Sequence, residues 1–310
     1  MNRSEHPRSV AIREVGARDG LQNEAPISVG ERVRLIDALS LTGLRRIEAA
    51  SFVAPSAIPA MAGAEEVMAG IKRKTGIAYS ALVPNVRGAE RALAANADEL
   101  EVVISASETH NQRNVNRTID ESLAAVVEIV ALAHGAGKNV EAIVSTTFGC
   151  AYEGDVEPNR VAAIAAALRE TGVDGLSFGD TTGMASPRRV HEVLDAIEGA
   201  GIAANDVGLH FHNTRGTGLA NVLVGLDRGV SQFDASVGGL GGCPYAPGAT
   251  GNIVTEDLVH MLMDMGIETG ADLDALIRCA LLAQELVGRE LPGQVMRSGP
   301  RSKTVEGAIT

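Results

Sequence analysis

Cysteine is scarce in this 310-residue chain: Cys150, Cys243 and Cys279 are odd in number and widely separated. That argues against a disulfide framework and fits a reducing compartment. Long hydrophobic runs are missing too. No segment approaches about 18 uninterrupted apolar residues, so no membrane span is expected. The N-terminal stretch MNRSEHPRSVAIREV holds no apolar core of a signal peptide, which makes the cytoplasm the expected location. Clustered positive charge is also absent. The formal net charge is −12, with 27 Lys and Arg scattered among 39 Asp and Glu, which excludes the electrostatic footprint of a nucleic-acid or anionic-membrane binder. No Pro-rich, Ser-rich or single-charge linker divides the chain. The G-x-G-x-x-G dinucleotide fingerprint does not follow the first apolar run, where the residues are Gly16, Ala17, Arg18, Asp19 and Gly20. One domain acting on small molecules is what these absences leave, and the missing fingerprint weakens the case for a nicotinamide enzyme.

What is present is a regular alternation. With 45% hydrophobic residues the chain can bury a large core. Short β-branched or apolar runs at 10–16, 46–51, 77–83, 99–105, 139–147, 175–179, 207–212 and 232–237 predict eight strands. Between them the period becomes helical: Val33, Ile36 and Leu39 share a face, as do Val161, Ile164 and Leu168, and Val190, Val193, Leu194 and Ile197. Glycines 43, 76, 137, 172, 201 and 229 stand where these helices should end, the residue type best suited to a left-handed C-terminal cap. Strict strand–helix alternation implies a parallel sheet, and eight units in roughly 250 residues imply closure into a single-domain (β/α)8 TIM barrel. An open doubly wound sheet is the alternative. The barrel domain is expected to span residues 1–290. A C-terminal tail, 291–310, loses helical periodicity and reads as mobile or as a flap.

The chemistry of such a barrel lies at the C-terminal ends of its strands. The first strand end offers Arg18 and Asp19, the second Glu48, the sixth Asp180 and the seventh His210 and His212; the loop after the eighth offers Cys243 and Asn252. His210 and His212 are one residue apart, so strand geometry points both rings to one side. Two imidazoles with oxygen donors such as Asp19 and the Asn252 carbonyl suit Mg2+, Mn2+ or a related divalent ion; structural zinc would want clustered thiolates. Arg18 could stabilise a developing enolate or thioester oxygen, or form a structural ion pair with Glu48 or Asp180. The segment from Val237 to Asn252 carries six glycines and two prolines and is expected to act as a lid, with Cys243 near its centre. Cys279 and Cys150 read as small buried hydrophobes.

Several runs resemble 3-hydroxy-3-methylglutaryl-CoA lyases, within the metal-dependent aldolase-like barrels that include the isopropylmalate synthases. They are VGARDGLQNE (15–24), IEAASFVAP (47–55), SFGDTTG (177–183), GLHFHNTRG (208–216) and FDASVGGLGGCPYAPGATGN (233–252). The resemblance implies metal ligands Asp19, His210, His212 and Asn252, and catalytic residues Arg18, Cys243, Glu48 and Asp180. It implies substrate contacts from Arg18, Gln22, Arg215 and His110. The expected reaction is retro-Claisen cleavage of a 3-hydroxyacyl-CoA to acetyl-CoA and a keto acid, acetoacetate in the type case, as in leucine degradation and ketone-body metabolism. His210 or Asp19 is the candidate base. A homodimer is implied by the resemblance alone.

The chain departs from the family at Asn213 and Arg215 after the histidines, and at His110 where a Phe is usual. It departs again at Ser56 and Ala57 where a Lys-Trp pair is usual, and at Ala25 where a basic residue often stands. Lost bulk at Ala57 with Arg215, His110 and Arg113 predicts a roomier, more basic pocket for a larger or more anionic acyl group. Two rivals are a condensing acyl-CoA synthase, which would carry a long C-terminal regulatory region, and a barrel that only binds CoA esters.

Overall fold

In the computed structural model, which describes residues 6–243 and 246–302 (backbone alone for 243 and 246–250), eight parallel strands close into a barrel in sequence order. They are β1 (Ala11–Glu14), β2 (Arg46–Ser51), β3 (Ala78–Leu82), β4 (Glu99–Ser105), β5 (Asn139–Ser145), β6 (Gly175–Gly179), β7 (Val207–His210) and β8 (Gln232–Ala235). β8 pairs back onto β1, so no edge is left open. All eight expected strands are present, and the closed ring replaces the open sheet considered from sequence.

Helices follow the strands and cover the outside. Val29–Leu39 begins at a capping box in which Ser28 accepts from the Glu31 amide and Glu31 reaches back to the Ser28 amide. Ile119–Gly135 begins the same way with Thr118 and Glu121. The expected buried stripes are realised: Val161, Ile164, Leu168, Val190, Val193, Leu194 and Ile197 all face the core. Glycines 43, 76, 137, 172, 201 and 229 all adopt positive φ, between 68° and 87°, as their capping positions require.

Apolar packing fills the space between strands and helices, but the centre of the barrel does not follow it. Arg13 of β1 lies there, 2% exposed, forming ion pairs with Glu101 of β4 at 3.0 Å, Glu141 of β5 at 3.1 Å and Asp234 of β8 at 2.7 Å. The guanidinium and its acidic partners compensate one another at hydrogen-bond distance; removing one partner from such a cluster typically costs about 3–5 kcal/mol.

The described part of the tail packs on the barrel. Leu291 is fully buried against Gly238, the Gly293 amide donates to the Gly238 carbonyl, and the amides of Gln294 and Val295 donate to Asp257. Residues 303–310 lie outside the described residues.

Candidate active site

A cavity of about 690 Å³ opens at the C-terminal end of the barrel. Its floor divides chemically. Asp234, His210, Asp19 and Arg18 make one side charged, while Leu82 of β3, Val103 of β4 and Ile143 of β5 make the other apolar.

The charged side is built from the ends of β1, β2, β7 and β8. After β1 the chain makes one wide turn of π-helix, Gly16–Gly20, which lifts Arg18 and Asp19 into the mouth. Gly20 is required there: a Cβ would lie 2.7 Å from the Leu240 Cβ and 2.8 Å from the Ser236 Oγ. Beneath the turn, the buried Glu14 carboxylate accepts from the amides of Gly16 at 2.8 Å and Val237 at 2.9 Å and from the Thr255 hydroxyl at 2.6 Å. One side chain thus clamps the turn to the loop after β8 and to the start of the helix that follows Asn252.

Arg18 is held from two sides, its Nε 2.6 Å from Glu48 and its Nη1 2.9 Å from Asp19. The ion pair with Glu48 that the sequence allowed is present, and it still leaves the guanidinium lining the cavity. Burial pushes Glu48 well above the usual carboxylate range, against the pull of Arg18 and with help from Glu101. Asp19 behaves in the opposite way. Burial would raise it, but Arg18, the two histidines and Asn252 hold its carboxyl down at about 2. Gln22 Nε2 donates to Asp19 Oδ1 at 2.8 Å and Asn252 Nδ2 donates to Asp19 Oδ2 at 2.7 Å.

His210 and His212 face the same side, as their spacing predicts, with their Nε2 atoms 3.1 Å apart. His210 Nδ1 lies 3.1 Å from Asp234 Oδ2, and that contact raises His210 although burial lowers it. Burial, with His210 alongside, pushes His212 down to about 3, so it stays neutral, with the lone pair of one ring nitrogen available to a cation.

The donor set fits a divalent ion. Asp19, His210 and His212 each offer a ligand atom, all within 4.8 Å of one another. Asn252, brought beside His212 by an antiparallel bridge, has its Oδ1 buried with no hydrogen-bond partner among the described residues. A buried amide oxygen left unpaired beside an ionised carboxylate and two facing imidazoles is the environment a hard or borderline cation satisfies.

The remaining expected residues scatter. Asp180 is buried under the mouth, where its carboxylate accepts from the Ala185 amide at 2.9 Å; burial pushes it up to about 7. Glu48 and Asp180 do not line the cavity, whereas Gln22, His110, Arg113 and Ala57 do. Burial also lowers His110. Arg215 is turned away: its Nη1 donates to the carbonyls of Thr182 at 3.0 Å and Gly183 at 2.6 Å, and it is not among the cavity's lining residues. The extra positive charge expected from it is spent on that loop. The backbone at Cys243 pairs with Ala246 in a short hairpin, and the Cys243 side chain lies outside what is described. Sequence reasoning passed over Arg13, Asp234 and Arg117. The signal for the first two was a charge inside an otherwise apolar barrel strand, in AIRE and QFDA.

The fold and site together define a (β/α)8 barrel with a carboxylate–imidazole centre suited to a divalent cation at its mouth. Comparison with known proteins gives the family: the HMGL-like model matches residues 9–282, and the chain belongs to that family. The hydroxymethylglutaryl-CoA lyase YngG of Bacillus subtilis is 47% identical over 93% of this chain and 97% of its own length. The 3-hydroxy-3-isohexenylglutaryl-CoA/hydroxy-methylglutaryl-CoA lyase of Pseudomonas aeruginosa is 42% identical over 90% of this chain and 94% of its own. A solved HMG-CoA lyase from Acinetobacter baumannii, in complex with coenzyme A and 3-methylmalate, superposes with a TM-score of 0.91 at 43% identity, covering 96% and 97% of the two chains. Among the described residues, no helix is long and apolar enough to cross a membrane.

Proposed function

We propose that this protein is a divalent-metal-dependent carbon–carbon lyase that cleaves 3-hydroxy-3-methylglutaryl-CoA to acetyl-CoA and acetoacetate, with Mg2+ or Mn2+ at Asp19, His210, His212 and Asn252. The observation that carries the reading is the convergence of Asp19, His210 and His212 on one point, with the Arg18 guanidinium beside it, at the mouth of the barrel. The reaction removes the proton of the 3-hydroxyl, breaks the C2–C3 bond, and leaves the electron pair on the thioester-stabilised C2, which a proton then quenches. A divalent ion there would act as a Lewis acid and a template for the oxygens of the substrate.

The chain's own residues supply the rest. Arg18, fixed by Glu48, presents a permanent positive charge where the thioester oxygen becomes negative. Asp19, held at about 2, is too weak a base to take the hydroxyl proton and serves as a ligand. Arg113 and Arg117 line the cavity rim, and neither pairs with a carboxylate among the described residues. In a chain of net charge −12, two guanidinium groups at the mouth, that of Arg113 lying over the Tyr152 ring at 4.3 Å, suit the phosphates of coenzyme A.

One observation favours a wider substrate range. Leu82, Val103 and Ile143, with Ala57 and Ile58 in the same lining, present apolar surface suited to a 3-alkyl branch longer than methyl. The P. aeruginosa relative's name includes such a substrate. Metal-free protein restored with Mg2+ or Mn2+ is expected to release acetyl-CoA from 3-hydroxy-3-methylglutaryl-CoA, with His210→Ala inactive. Absence of cleavage of both the methyl and the isohexenyl thioester by folded, metal-loaded protein refutes the reading.

A further inference from the structure

We propose that Arg13, buried beneath the cavity floor, is the positioning residue for His210: through Asp234 it sets which imidazole nitrogen faces the metal site. This rests on the reading that Asp19, His210 and His212 hold a divalent ion, and it concerns how the chain prepares that site.

Three adjacent strands carry the arrangement. Asp234 of β8 is in register with Arg13 of β1 on one side and with His210 of β7 on the other. Arg13 grips it with two parallel bonds, Nε to Oδ1 at 2.8 Å and Nη2 to Oδ2 at 2.7 Å. A guanidinium fork of this kind fixes both the plane and the rotation of a carboxylate, which a point charge does not. Oδ2, so fixed, lies 3.1 Å from His210 Nδ1. An ionised carboxylate can only accept, so the imidazole must carry its proton on Nδ1, and the lone pair is left on Nε2. Nε2 is the atom that faces His212 and the Asp19 carboxylate.

Arg13 is in turn immobile. Its Nη1 meets Glu101 at 3.0 Å and Glu141 at 3.1 Å, on the strands across the barrel. The orientation of one ligand is thereby tied to the centre of the fold. His212 has no equivalent support among the described residues, where its Nδ1 is buried without a hydrogen-bond partner. Carboxylate partners of metal-bound histidines typically contribute a factor of about 10–100 in metal affinity, and here that contribution depends on a residue that touches neither metal nor substrate.

The test is a Mn2+ titration of the metal-free, full-length protein followed by electron paramagnetic resonance, together with long-range 15N–1H spectra of the histidine rings. Wild type is expected to bind Mn2+ with His210 in the Nδ1–H form. Asp234→Asn should weaken binding about 10–100-fold. Arg13→Lys, which keeps the charge and loses the fork, should weaken it by a smaller factor and show a mixture of His210 tautomers. A merely structural role for Arg13 would lower the melting temperature and leave both the Mn2+ Kd and the tautomer unchanged. The proposal is overturned by an Nε2–H tautomer in wild type, a measurement independent of whether either variant folds. It is equally overturned by a folded Asp234→Asn whose Kd stays within about twofold of wild type. Failure of wild type to bind Mn2+ at all would instead refute the metal reading on which the proposal rests.

Discussion

Replacing Glu14 by glutamine should make the protein more stable above neutral pH, although Glu14 accepts three hydrogen bonds. The carboxyl is fully buried, and burial raises it from 4.5 to about 7 even after the donors Thr255, Val237 and Gly16 have lowered it. A folded-state value above the unfolded one means the native state binds the extra proton. Stability from this group is therefore intact below about pH 4.5, falls as pH rises, and is fully lost above about pH 7. The shift corresponds to about 3 kcal/mol. Glutamine mimics the protonated form: its carbonyl can accept from the two amides while its NH2 donates to the Thr255 hydroxyl. The variant and the wild type should coincide in acid and separate by about 3 kcal/mol at pH 8, or about 5 °C in melting temperature for a chain of this length. Calorimetry from pH 4.5 to pH 8.5 on both proteins reads the difference directly, and Glu256, which burial pushes up to about 8 with the Glu14 charge adding to the shift, is relieved in the variant and changes stability in the same direction. A pH-independent difference between the two proteins, or a wild type that is the more stable at pH 8, would refute the argument that burial outweighs the clamp.

Arg18→Met should lower kcat by about 10²–10³ with little change in KM, because the guanidinium acts on charge that develops during the reaction; Glu48, already pushed upward, can take a proton and lets the variant fold, and steady-state kinetics checks the split. Arg113→Ala combined with Arg117→Ala should raise KM for the CoA thioester about tenfold or more and flatten its salt dependence, while Arg215→Ala should leave KM unchanged because that side chain is committed to the Thr182 and Gly183 carbonyls. Ala57→Trp should narrow the cavity, depressing kcat/KM for the isohexenyl substrate far more than for the methyl one, as competition between the two thioesters would show.

Local pattern carried much of this structure. The eight strands, the helix stripes and the six capping glycines follow from periodicities of two and 3.6 and from the left-handed backbone that glycine tolerates, all properties of short stretches of chain. Asp19, His210, His212 and Asn252 were legible for a related reason: a strand end in a closed barrel has one destination, and the H-x-H spacing points both rings the same way. Arg215 was misplaced because its direction depends on two carbonyls of the β6 loop, which is 32 and 33 residues away in sequence.

By itself, then, the sequence determined that the chain closes into a barrel, where its chemistry gathers and which donors could hold a cation. Only the tertiary structure decided what surrounds those donors. That Asp19 sits at about 2 while Asp180 sits at about 7 depends on Arg18 lying against one carboxylate and on burial dominating the other. That Arg13, Asp234 and His210 form one rigid line depends on the register of three strands, two of which are more than 190 residues from the first. Charges interact through space and not along the chain, so their partners appear only once the ring has closed.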